Sequence, residues 1–284
     1  MIYLISTTLL STSIFVIFRL FKKYNIDNLQ AITVNYLTAS LIGYFSYGKD
    51  LSISSVISAS WFPFVLIIGL LFIGVFFLFA LSSQKAGVAI TAVSSKMSVV
   101  IPAAGGFLLF GDVASPLKIL GILAALLAFY LTFRKKGKML LTYTAFFLPV
   151  LLFLGTGTND LLMKYADYHF VEGDLILLLS VIFSVAFIVG ATLLLYKTIV
   201  GKIKPDIKSL LSGLVLGLVN FGSTFFLFKS MEYFDSSLMF PIRNTGVVTM
   251  SALTGFVFFR EELRASNWIG IGLAILAIIL IAIG

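Results

Sequence analysis

The chain has 284 residues, 60% hydrophobic and 11% charged, with a formal net charge of +8. A soluble domain carries about 25% charged residues, so soluble enzymes and binding modules are excluded. There is no cysteine, which removes disulfides and thiolate metal sites, and the basic residues are scattered in short loops rather than gathered into a patch for nucleic acid.

A helix rising 1.5 Å per residue needs about 20 apolar residues to cross the hydrocarbon. Ten such runs are expected, at about 2–21, 29–47, 61–83, 88–110, 116–133, 140–163, 174–196, 208–230, 237–259 and 266–284. They are continuous, unlike the alternating segments of a membrane barrel. The first has no basic residue ahead of it and no small-residue cleavage site, and is expected to be a retained helix. The fold class is an all-α polytopic membrane protein of ten transmembrane helices.

Orientation follows from Lys and Arg in the loops. Loops after odd-numbered runs hold fourteen of them, and loops after even-numbered runs hold four. This bias places the odd loops in the cytoplasm and both termini outside.

The chain also contains an internal repeat. Phe76-Phe77-Leu78-Phe79, Asp112 and Gly121 return as Phe225-Phe226-Leu227-Phe228, Glu261 and Gly270, all at an offset of 149 residues. Solenoid units are at most about 50 residues long, so this is a half-protein copied once. The expected halves are 1–134 and 139–284, joined by a basic linker at 135–138. Five spans per half is an odd number, so the halves are inverted relative to one another. Inverted repeats are a transporter signature, with the substrate site near the midplane.

Gly111-Asp112, Ala114 and Gly121 resemble a Gly-Glu-x-Leu-x6-Gly signature, and Arg260-Glu261-Glu262-Leu263 with Gly270 resembles its second copy. Two such motifs, each before the last span of a five-helix unit, are similar to the drug/metabolite transporter superfamily, EamA-like branch, over essentially the whole chain. Asp112 stands where Glu is usual, and Arg260 where Gly is usual. Many ten-helix members are described with both termini in the cytoplasm, opposite to the bias above. The resemblance implies a small-molecule carrier, often an exporter of metabolites or amino acids. It does not fix the substrate.

Two cations lie within apolar runs. Lys96 sits deep in the fourth, where a charge costs at least about 2.5 kcal/mol and must face a cavity or a partner. Arg243 sits two turns into the ninth. The offset maps Arg243 onto Ser94 and Lys96 onto Thr245, so the cations are two positions out of register. Two readings stay open for each. Lys96 either binds substrate or is a structural charge that snorkels or pairs with an acid. Arg243 either binds substrate or is interfacial. If both are functional, the missing negative charge is the substrate's carboxylate or phosphate, gripped bidentately by Arg.

Ser95, Asn244, Asn159, Asn220, Asn35 and Tyr36 complete the expected substrate-contacting set; interhelical hydrogen bonding is the alternative for Asn35, Tyr36 and Asn220. Asp160 is either an ion pair with Lys164, four residues on, or a coupling site. Pro102 and Pro149 are candidates to kink their helices.

No zincin, phosphate-loop or nucleophile-elbow motif is present, so neither an enzyme nor an ATP-driven pump is expected, and no cofactor or metal. The expected function is a secondary active transporter working by alternating access in the cell membrane. Its partners are a small-molecule substrate, the lipid bilayer, and a proton or counter-solute, with monomer and homodimer both open. The alternative is a flippase for an anionic lipid-linked sugar.

Overall fold

The computed structural model describes residues 1–48, 53–109, 111, 115–133, 143–170, 175–231, 233 and 236–283. The described residues form helices and no strand. In chain order they are α1 (Ile2–Lys23), α2 (Asn28–Tyr47), α3 (Ile53–Ile57), α4 (Phe62–Lys85), α5 (Val88–Met97), α6 (Val100–Leu109), α7 (Pro116–Phe133), α8 (Tyr143–Phe170), α9 (Leu175–Ile199), α10 (Ile207–Met231), α11 (Ser236–Phe259) and α12 (Ala265–Ile283). Among the described residues, seven spans are long and apolar enough to cross a membrane: α1, α4, the combined α5–α6 stretch, most of α8, α9, α10 and α12. The chain is thus an all-helical, multi-pass membrane protein. The expected ten spans exceed these seven, because α2, α7 and α11 fall short on length or on apolarity. Asp112, Ala114 and the 135–138 linker lie outside the described residues.

One expected span is broken. The run at 88–110 reads as continuous, yet Ser98 and Val99 separate α5 from α6. Pro102 has no N–H, so the Ser98 carbonyl four residues earlier loses its helical partner. The backbone tightens instead: the Ile101 amide donates to Ser98 O at 2.9 Å, and the Ser98 hydroxyl to Ser95 O at 2.5 Å. Lys96 occupies the last turn of α5, beside this break.

The helices group into two compact units, each drawing on both sequence halves. The first comprises residues 1–22, 78–158 and 222–284. At its core α7 and α12 pack through small residues. A Cβ at Gly121 would lie 2.8 Å from the Ile281 backbone N, and one at Gly270 would lie 2.9 Å from the Thr132 backbone N. The start of each helix thus meets the end of the other, so the pair is antiparallel. The 149-residue offset carries Gly121 to Gly270 and Thr132 to Ile281, and so exchanges the two contacts. Ala125 and Ala128 map likewise onto Ala274 and Ala277, and all four are fully buried. Close backbone approach between small residues is the usual basis of helix association in lipid, where water gives no hydrophobic drive.

The second unit comprises residues 23–77 and 159–221. Its α2 lies against α10, where Cβ atoms at Gly213 and Gly217 would collide with Ala31 and with the Asn35 carbonyl. Two helix caps interlock here. Asp27 accepts from the Gln30 amide at 2.9 Å and caps α2, while Asp206 accepts from the Ser209 amide at 3.1 Å and caps α10. The Asp27 amide in turn donates to Ser209 Oγ at 2.9 Å. Buried Gln30 ties the same segment down, donating to Lys204 O at 3.0 Å and accepting from the Asp206 amide at 2.8 Å. The Ser209 hydroxyl, ahead of the other bonds, holds the half-buried Asp206 carboxyl below the usual range.

Candidate functional site

Arg243 is the best-defined charged group of the first unit. It lies half-buried in α11, and two hydroxyls from α1 hold it: Nε donates to Thr7 Oγ1 at 3.0 Å and Nη2 to Ser11 Oγ at 2.7 Å. Both hydroxyls are anchored on α10, Thr7 by donating to Ser223 O at 2.8 Å and Ser11 by sharing a 2.7 Å hydrogen bond with Ser223 Oγ. Three helices therefore fix the guanidinium. Close packing supports this, for a Cβ at Gly246 in α11 would lie 2.8 Å from the Thr8 methyl of α1. The hydroxyls are neutral, so they orient the guanidinium without themselves balancing its charge. They engage the Nε–Nη2 side of the guanidinium.

Lys96 is half-buried at the end of α5, with Ser95 beside it 4% exposed. A cation in the last turn is favoured by the helix dipole. From α8, Gly157 reaches the break next to it: a Cβ there would lie 2.8 Å from the Ser98 carbonyl oxygen. Asn244 is half-buried next to Arg243 in α11.

The remaining expected residues belong to the second unit. Asn220 Nδ2 donates to Asn35 Oδ1 at 3.2 Å, so this pair is brought together as an interhelical hydrogen bond. Tyr36 is fully buried; its hydroxyl donates to Phe72 O at 2.8 Å and its ring packs on Phe76 and Phe183. A Tyr36→Phe change removes this interhelical hydrogen bond, and we expect a loss of about 1 kcal/mol in unfolding free energy, read by denaturant titration in detergent. Asn159 is buried and Asp160 exposed in α8, with Lys164 one turn on.

Thr7, Ser11 and Ser223 are absent from the expected set. Their only signal in the sequence is the hydroxyl-rich start of α1, where Thr7, Thr8, Ser11 and Thr12 are all buried.

Glu261 has a role that the motif alone does not reveal. Its carboxylate accepts from the Val88 amide at 2.6 Å and the Ala89 amide at 3.2 Å, and so caps α5. Gly87, the residue at that cap position, offers no side-chain oxygen of its own. Gly87 and Gly255 form a socket that any Cβ would fill, since each built Cβ would press on the Glu261 carboxylate. Arg19 is close by, donating to Gln84 O at 2.6 Å, its guanidinium 6.0 Å from the Phe259 ring centre. Burial pushes the Glu261 carboxyl up, against the downward pull of the two amides and of Arg19. A carboxyl with a raised folded-state pKa contributes fully below its unfolded value and loses that contribution as pH rises through the folded value. We therefore expect the wild-type melting temperature to fall relative to Glu261→Gln as pH rises above the ordinary 4.5. Parallel melting curves across pH check the sign.

Arg260 departs from the glycine of the motif at a position where the backbone wants glycine. Its φ is 51°, and Gly111, its counterpart at the offset, has φ 68°. A left-handed non-glycine residue costs roughly 1–2 kcal/mol. Arg260→Gly is expected to raise stability by about 1 kcal/mol, after allowance for glycine's extra freedom when unfolded.

Comparisons with known proteins agree with this architecture. A solved structure described as a crystal structure of a protein superposes with a TM-score of 0.59 at 14% identity, covering 98% of this chain and 97% of that one. The likeness extends the shared fold over the whole chain. A Haemophilus influenzae protein, described as uncharacterized, is 29% identical over 283 residues, 97% of this chain and 95% of its own. Residues 143–283, about half of the chain, match the EamA-like transporter family.

Proposed function

We propose that the protein is a ten-span secondary transporter built of two inverted repeats, 1–134 and 139–284 about the 135–138 linker. It carries a small metabolite or amino acid bearing an anionic group, by alternating access, and exports it. The observation that carries the reading is Arg243, held by neutral hydroxyls from α1 in a chain about half of which matches a family of transporters. Lys96, beside the broken α5–α6 span, supplies the second cation. Discontinuous helices with charged groups at the break are common at transporter substrate sites. The antiparallel α7–α12 pair, with contacts exchanged by the offset, supports the inverted repeat. The loop bias supports extracytoplasmic termini. A proton or a counter-solute drives the cycle.

The test is a thermal-shift screen in nanodiscs against amino acids, organic acids, sugar phosphates and quaternary cations. A ligand that binds only the folded state raises the melting temperature by mass action. Stabilisation is expected from anionic compounds alone. Stabilisation by quaternary cations, persisting in Arg243→Ala and Lys96→Ala, would refute the reading.

A further inference from the structure

The cradle around Arg243 has a counterpart in the other half of the sequence. The 149-residue offset carries Thr7, the hydroxyl that accepts from Arg243 Nε, onto Thr156 of α8. It carries Ser94, two residues before Lys96, onto Arg243 itself. In each half a helix that opens the repeat thus carries a threonine at the same register, and each fourth span bears one cation, two positions out of register between the halves.

The two sets differ in their hydrogen bonds. Thr7 is doubly engaged, by Arg243 and by Ser223 O. The Thr156 hydroxyl is buried and has no hydrogen-bond partner among the described residues. An unmade buried hydrogen bond costs about 1–3 kcal/mol, so a hydroxyl left in this state is expected to find a partner elsewhere in the protein's working cycle. The next residue, Gly157, lies on the Ser98 carbonyl at the α5–α6 break, two residues from Lys96. Thr156 therefore sits at the level of that break.

We propose that Thr156 is a substrate-orienting residue, forming with Lys96 a second oxyanion subsite equivalent to that of Thr7 and Arg243. This rests on the anionic-substrate reading above. In an inverted repeat the halves exchange conformations as access alternates. The engaged arrangement seen at Thr7 is then the arrangement Thr156 adopts in the opposite-facing state, with its hydroxyl donating to the substrate's carboxylate or phosphate while Lys96 neutralises it.

The chain has no cysteine, so Thr156→Cys is labelled without background. The probes are two methanethiosulfonates, one bearing a sulfonate and one a trimethylammonium group. Their rate ratio is measured in Thr156→Cys and again with Lys96→Gln added; Lys96→Met replaces Gln if the double variant does not fold. Removing a unit charge near the thiol is expected to lower the sulfonate-to-ammonium ratio about tenfold. Lys96→Arg should preserve it. A Thr156→Cys that neither reagent reaches, or a ratio unmoved by loss of Lys96, overturns the proposal. If Lys96→Ala also abolishes anion stabilisation in the thermal screen, the transport reading survives that failure. If no anion stabilises the wild type, the transport reading itself fails.

Discussion

Arg243→Ala is expected to abolish anion-induced stabilisation while leaving the fold intact. A hydrogen bond to a charged group contributes about 1.5–3 kcal/mol, and loss of a bidentate pair corresponds to a ten- to more than hundredfold drop in affinity. The fold should tolerate the change, because Thr7 and Ser11 stay bonded to Ser223 when the guanidinium is gone. Arg243→Lys is the sharper variant. One ammonium cannot span both hydroxyls and still present a planar edge to an oxyanion. Its binding should therefore fall nearer to Ala than to wild type. Titration of the strongest stabilising anion against all three proteins checks this. Equal affinity in Arg243→Lys and wild type would mean that only the charge matters and that the hydroxyl cradle does not.

Gly121→Leu and Gly270→Leu are expected to be the most damaging single changes to stability. At each site the nearest neighbours include backbone atoms of the facing helix, Ile281 N at 2.8 Å and Thr132 N at 2.9 Å. Backbone cannot turn aside as a side chain does, so the helices must separate. Overpacking of this kind costs typically about 1–3 kcal/mol, and parting the surrounding alanine interface adds to it. Because the offset exchanges the two contacts, the two losses should be similar. Unfolding in mixed micelles measures both. A large loss at one glycine and none at the other would show that the interface lacks the symmetry seen in its contacts.

The helices were legible because apolar runs of span length leave few alternatives in lipid. The expected 61–83 and 116–133 segments, for example, correspond to α4 and α7 within two residues at each end. The break in 88–110 was not legible. Pro102 announces a kink, but a kinked helix and two half-helices read the same until the Ser98 carbonyl is seen packed on Gly157. Arg243 stood out because a cation in an apolar run is costly. The hydroxyls that hold it did not, because Thr8 and Thr12 on the same helix satisfy themselves on the carbonyls of Leu4 and Thr8, and sequence cannot tell these from Thr7 and Ser11. Glu261 was visible as a motif and not as a cap, since its partners lie more than 170 residues earlier. Asn35 and Asn220, read as substrate contacts or as an interhelical bond, meet each other in the structure.

The inversion of the two halves is the central claim, and sided labelling tests it most directly. Ser58 and Ile207 are related by the 149-residue offset, and both are exposed. Five spans per half place them on opposite faces of the membrane. With Ser58→Cys and Ile207→Cys in intact cells, an impermeant maleimide should label position 58 and spare position 207 until the membrane is opened. Labelling of both from the same side would contradict the inverted repeat, and with it the transport cycle proposed here.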